Sequence, residues 1–150
     1  DGKQFYEVKE GNKEGGTIGL DENGRKVFEG ELQDGREAGV WTTFYDDGAL
    51  RWRGQKKDGR NHGPFAMWYP NGQKKMEGSF VNGEKNGLSV TWYSDGTKWQ
   101  EQRHKAGKPH GIWKLWGMDG KLVSENTYEN GFLDEQDSLK TEKDPVAPKP

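Results

Sequence analysis

The chain has 150 residues, 23 basic and 25 acidic, a formal net charge of -2 and no cysteine. Disulfides, thiolate zinc sites and cysteine nucleophiles are therefore excluded, the balanced charge gives no general pull toward nucleic acid or anionic lipid, and no apolar run approaches the ~20 residues of a membrane span. Leu, Ile, Val and Phe make up only about 15% of the residues, but the apolar content is concentrated in seven Trp, five Tyr and six Phe. Aromatics bury more area apiece than aliphatics, so the composition points to a thin aromatic layer rather than a thick core.

Three glycine series share one register. Gly15, Gly39, Gly63, Gly87 and Gly111 recur every 24 residues without an insertion. Gly24, Gly48, Gly72, Gly96 and Gly120 form a second series, and Gly11, Gly35, Gly59, Gly83, Gly107 and Gly131 a third. A fixed period of this length marks a repeat architecture. The second series is preceded by Asn23, Asp47, Asn71, Asp95 and Asp119, and Asx-Gly pairs suit two-residue hairpin turns with positive φ. The third series is preceded mostly by Asp or Asn, with Glu10 and Ala106 as exceptions. Turns thus arrive about every 12 residues, which leaves no room for helical spacing.

In chain order, residues 1–14 read as an N-terminal half repeat or cap, residues 15–132 as five hairpin repeats, and residues 133–150 as a polar tail or linker. In the second repeat the strands are expected near Val40–Tyr45 and Leu50–Lys56, and in the third near Pro64–Tyr69 and Lys74–Phe80. The Asx-Gly turns are expected to be the tight ones, and segments such as Asp58-Gly59-Arg60-Asn61-His62-Gly63 the longer connections. A lone hairpin is marginal in water, so the units must pair edge to edge. The expected fold is all-β: an elongated, single-layer antiparallel meander. The tail from Leu133 holds five acids and three lysines, a composition typical of disorder.

The stretch Gly63–Gly83, Gly-Pro-Phe-Ala-Met-Trp-Tyr-Pro-Asn-Gly-Gln-Lys-Lys-Met-Glu-Gly-Ser-Phe-Val-Asn-Gly, resembles the bacterial variant of the MORN (membrane occupation and recognition nexus) repeat. The resemblance extends from Gly15 to about Gly131, with a half repeat at 3–11. It departs at the ends, where Leu20-Asp21 and Trp116-Gly117 replace an aromatic pair, as terminal units of a solenoid do. The resemblance implies a non-catalytic scaffold that meets another protein, with links to membrane surfaces and an antitoxin-like label among bacterial members. Localisation stays open between a bacterial cell envelope, which an export signal ahead of Asp1 would indicate, and the cytoplasm.

Alternation along a strand splits adjacent aromatics between the two faces. Phe44, Trp68, Trp92 and Trp116, with Leu20 ahead of them, form one ladder; Tyr45, Tyr69 and Tyr93 form the other. These seven aromatic residues are the candidate binding positions. With two-residue turns, Tyr45 would face Leu50, Thr43 would face Trp52, and Trp41 would face and cover Gly54, as Phe65 would Gly78. The tyrosine face would then hold Leu50, Trp52, Met67, Met76 and Phe80, and the tryptophan face Arg51, Arg53, Lys75, Glu77, Glu101 and Arg103. Both ladders can be read as structural stacking, and one of them as a docking surface.

Catalytic constellations are missing. His62 and His110 lie two repeats apart, about 20 Å by strand spacing, too far to share a metal, and His104 with His110 would make an incomplete zinc site. The three histidines are expected in solvent-exposed loops. Glu77 and Glu101 would sit about 10 Å apart, near the separation of an inverting glycosidase pair, but a flat sheet offers no cleft to raise one pKa. No cofactor or metal is expected. The partner is expected to be a protein, with a membrane surface or a glycan or choline-like ligand on the aromatic ladder as the alternative and nucleic acid disfavoured by charge.

Overall fold

A computed structural model describes residues 7–9 and 15–134, all in one open antiparallel sheet without a helix. The strands are β1 (Glu7–Lys9), β2 (Gly15–Leu20), β3 (Lys26–Gln33), β4 (Arg36–Phe44), β5 (Leu50–Lys57), β6 (Arg60–Trp68) and β7 (Lys74–Val81). They continue as β8 (Glu84–Lys85), β9 (Gly87–Trp92), β10 (Lys98–Lys105), β11 (Lys108–Pro109), β12 (Gly111–Trp116), β13 (Leu122–Glu129) and β14 (Phe132–Leu133). Neighbours in sequence are neighbours in the sheet; β8 and β9 both pair with β7, and β11 and β12 both pair with β10. Most of the expected N-terminal half repeat (residues 1–6 and 10–14) and residues 135–150 of the expected tail lie outside the described residues.

The two kinds of turn exchange the roles expected of them. The two-residue turns are those of the third glycine series: Asp34-Gly35, Asp58-Gly59, Asn82-Gly83, Ala106-Gly107 and Asn130-Gly131 all have positive φ at both positions. They join strands directly, as in the pairs Gln33–Arg36 and Lys57–Arg60. First strands therefore begin some four residues earlier than expected, β4 at Arg36 rather than Val40.

In the Asx-Gly turns only the glycine is left-handed. Gly48 N–H donates to the Tyr45 carbonyl at 2.9 Å and Tyr45 N–H to the Ala49 carbonyl at 2.8 Å, the geometry of a three-residue loop with a bulge at the glycine. The Asx side chain caps the loop instead of taking a left-handed φ. Asp47 Oδ1 accepts the Ala49 N–H at 2.9 Å, and Asn71, Asp95 and Asp119 each accept from the residue two positions on, a local bond that favours Asx in turns. That bond holds the Asp95 and Asp119 carboxyls below their ordinary pKa.

The loop also changes which residues face each other across the hairpin. Thr43 faces Trp52 and Trp41 faces Gly54 as expected, but a bulge intervenes and Phe44 faces Leu50. The same shift separates Met67 from Trp68 in β6. One extra residue moves the start of each second strand to the opposite face.

Much of the packed interior lies on the face of Trp41, which is 7% exposed, and Phe65, 6% exposed. Glycines on this face leave room for flat rings. A Cβ at Gly30 would lie 2.3 Å from Trp41 Cδ2, and one at Gly54 would lie 2.6 Å from Trp52 Cζ2. Trp41 thus covers Gly30 on the preceding strand, not Gly54, whose cover is Trp52. Phe65 does approach Gly78, 3.0 Å from a Cβ built there, together with Ser89. The Trp41 indole N–H donates to the carbonyls of Glu31 and Ala38, both at 3.1 Å, which satisfies its one polar atom.

Candidate binding face

Phe44, Trp68, Trp92 and Trp116 close β4, β6, β9 and β12, so they line one rim of the sheet. The tyrosines come one residue later and serve the sheet itself. Tyr45 Oη donates to the Trp68 carbonyl at 2.7 Å, Tyr69 Oη to the Trp92 carbonyl at 2.9 Å, and Tyr93 Oη to the Trp116 carbonyl at 3.0 Å. Each tyrosine reaches one repeat ahead. The opposite rim is joined similarly, with Gly59 N–H donating to the Glu37 carbonyl at 2.9 Å and Gly83 N–H to the Asn61 carbonyl at 2.8 Å. Gly117, in the tyrosine's place in the fifth repeat, has no sixth repeat to reach among the described residues.

The bulge corrects the expected composition of both faces. Leu50 shares the face of Phe44 rather than that of the tyrosines. Arg51 is the residue passed over by the bulge, and its counterparts Lys75 and Trp99 turn toward the tyrosines. Lys75 Nζ lies 5.3 Å from the Tyr69 ring centre, and the Trp99 and Tyr93 rings are 5.7 Å apart. Arg53, Glu77, Glu101 and Arg103 pair with Thr42, Ala66, Val90 and Leu88, so they stay on the tryptophan face. Trp52, Met67 and Met76 stay on the other.

In place of Arg51 and Lys75, the tryptophan face carries Lys26, Lys74 and Lys98. Their ammonium groups lie 5.5, 5.7 and 5.1 Å from the rings of Phe44, Trp92 and Trp116 in the next repeat. The same lysines pair with Glu29, Glu77 and Glu101 at 2.7, 2.8 and 2.6 Å. Glu77 and Glu101 are thus held in ion pairs. Away from the rim, a row of aliphatics crosses the strands on this face: Val40, Pro64, Leu88 and Ile112 occupy one repeat position. Val40 is 43%, Leu88 39% and Ile112 44% exposed.

The histidines are half-buried rather than exposed in loops. His62 Nδ1 accepts the N–H of the left-handed residue Asn82 at 3.3 Å, and His104 lies within β10 against Trp113, ring centres 5.2 Å apart. Burial, and then the Lys85 charge, hold His104 below the usual imidazole pKa. No cluster of three or more His, Asp or Glu that could hold a metal occurs among the described residues.

Two segments, residues 61–82 and 109–130, match the family model described as the MORN repeat variant. Their starts differ by 109 − 61 = 48 residues, two periods, so both matches fall on the same part of the repeat: a first strand, its capped loop and a second strand. No curated protein matches the chain. The hairpins of β6–β7 and of β12–β13 thus match a MORN-type repeat, and such repeats are in general non-catalytic modules of binding and scaffolding.

Proposed function

We propose that the chain is a scaffold that binds another protein through its tryptophan face. The observation that carries this reading is the aliphatic row of Val40, Leu88 and Ile112, exposed at 43, 39 and 44% beside an aromatic rim. Contiguous apolar surface on a sheet marks a docking area, and the other face uses its aromatics to cover its own glycines. Among the seven aromatic candidates, we assign binding to Phe44, Trp68, Trp92 and Trp116, and repeat-to-repeat joining to Tyr45, Tyr69 and Tyr93.

The lysines bear on the alternative of a choline-like ligand. A quaternary ammonium group binds over a ring face, and three of the four rim rings already have an ammonium there. A second cation would meet a like charge, which favours the protein partner.

A photoreactive residue placed at Leu88 in cells should form a protein adduct, whereas one at Gln100 on the opposite face should not. Equal adducts from both positions, or adducts from Gln100 alone, would refute this assignment of the face. Quenching of tryptophan fluorescence by choline or a glycan, lost in a folded Trp68→Ala variant, would favour the alternative.

A further inference from the structure

Three of the five repeats carry the same charge pair on the tryptophan face; the fifth has Leu122 in the lysine position but keeps the carboxylate, Glu125, paired with Lys114, and the second alone changes both. Lysine and glutamate three residues apart form ion pairs at Lys26–Glu29, Lys74–Glu77 and Lys98–Glu101. The second repeat has Leu50 and Arg53 at those two positions. Both changes act at once: the lysine that would lie before the Trp68 ring becomes an apolar side chain, and the carboxylate that would pair with it becomes a guanidinium. Arg53 is exposed, and its side chain makes no ion pair or hydrogen bond among the described residues.

Two depressions in the sheet surface meet at this position. One, of about 600 Å³, includes Ile18, Glu31, Val40, Leu50 and Arg53. The other, of about 530 Å³, includes Val40, Arg53, Pro64, Trp68 and Leu88. Val40 and Arg53 belong to both, so the two form one groove crossing the strands. From Val40 in β4 to Leu88 in β9 is four strand spacings, about 19 Å, the span of roughly six extended residues.

We infer that this groove binds an extended segment of the partner protein in which a carboxylate pairs with Arg53 and a neighbouring apolar side chain packs against Trp68. The inference rests on the reading of the tryptophan face as a protein-binding surface. Charge complementarity selects the occupant. Glu29 and Glu77, on either side of Arg53, are neutralised by Lys26 and Lys74, which leaves Arg53 as the groove's uncompensated cation. Glu31, also unpaired, lies at the Ile18 end and favours a basic residue there, giving the bound segment a direction. Arg103, also on this face, lies outside the groove, so the groove offers one unpaired cation to one acidic side chain, whereas an anionic bilayer would span the face and also meet Glu29, Glu31, Glu77 and Glu101. A guanidinium offers bidentate geometry to a carboxylate.

The test uses a control already present in the protein. The double substitution Leu50→Lys, Arg53→Glu recreates the Lys–Glu pair of the first, third and fourth repeats and should fold as the parent does. Heptapeptides displayed on phage are selected against the full chain and against this variant, and one selected peptide is then titrated by fluorescence anisotropy. Selection on the parent should enrich peptides with an acid next to an apolar residue, and the variant should bind the titrated peptide at least tenfold more weakly. Enriched peptides without an acid, or equal affinity for both proteins, would overturn the role of Arg53 while leaving the protein-binding reading in place. No enrichment on the parent would overturn both. Sedimentation with phosphatidylserine vesicles that depends on Arg53, or a dimer that the double substitution dissociates, would overturn the proposal in favour of a lipid surface or a second copy.

Discussion

Replacing Tyr45, Tyr69 and Tyr93 together by phenylalanine separates the two aromatic ladders experimentally. The substitution keeps each ring and removes hydroxyls that donate at 2.7, 2.9 and 3.0 Å to carbonyls one repeat ahead. A hydrogen bond of this type contributes a net ~1 kcal/mol. The three bonds share no partner and lie a repeat apart, so their losses should add to about 3 kcal/mol. For a sheet of this size that lowers the thermal midpoint by roughly 10 °C. Urea unfolding monitored by tryptophan fluorescence should show an earlier midpoint with an unchanged slope, and partner binding at a temperature where the variant is folded should persist. An unchanged midpoint together with lost partner binding would refute the assignment, because the hydroxyls would then be meeting the ligand rather than the next repeat.

The turns and the glycine cover can be tested in the same way. Gly30→Ala puts a Cβ 2.3 Å from the Trp41 ring and should cost about 1–3 kcal/mol through overpacking, with a changed near-ultraviolet dichroism; an unaltered urea midpoint would place the ring elsewhere. Ala106 has φ 48° where the other four turns have Asp or Asn, so Ala106→Asn should stabilise by about 1 kcal/mol, read as a later urea midpoint. The Asp95 and Asp119 carboxyls have folded-state pKa values below their ordinary 3.8; their contribution is complete above that value and is lost as pH falls through the folded pKa. Urea midpoints should therefore drop in strong acid, and Asp95→Asn, which keeps the capping oxygen seen in Asn71, should reduce the drop. His104 has a folded-state pKa below 6.5, so the unfolded chain takes up a proton first and stability declines as pH falls through that value. His104→Phe, matching Phe80 at the same repeat position, should flatten that part of the profile.

The repeat was legible because its cause is local: left-handed turns need glycine, and the glycine series therefore records the turns directly. The choice of turn type was less so. Asp-Gly fits both a two-residue turn and a capped three-residue loop, and Asp58-Gly59 and Asp47-Gly48 take one each. Residue type just after the glycine does not separate them, since Ala49 and Arg60 both carry an N–H; in the loop Asp47 caps it, whereas the tight turn returns at once to the ladder. An error of one residue at a turn reaches far in a sheet. It left Trp41 and Trp52 on their true face but exchanged Leu50 with Arg51 and Lys74 with Lys75. The lysines over the rim rings were hidden by that shift. The tyrosine bonds were hidden by distance, since an acceptor in the next repeat lies 23 residues away.

Periodicity and specificity make opposite demands on such a sheet. A position repeated from unit to unit supports the contact between units, as the three tyrosines and the glycines of the tight turns do, and so has little freedom to distinguish one partner from another. A position that differs in one unit contributes nothing to the regular contacts and must be accommodated locally. Leu50 and Arg53 differ together, and the pair they replace is an exposed ion pair, an interaction worth only ~0–1 kcal/mol. Its loss barely weakens the sheet, while the gain is an apolar contact and an unpaired cation in the middle of a binding face. Substitutions at these two positions should therefore change which segment is bound far more than they change folding, whereas substitutions at Tyr69 or Gly30 should do the reverse.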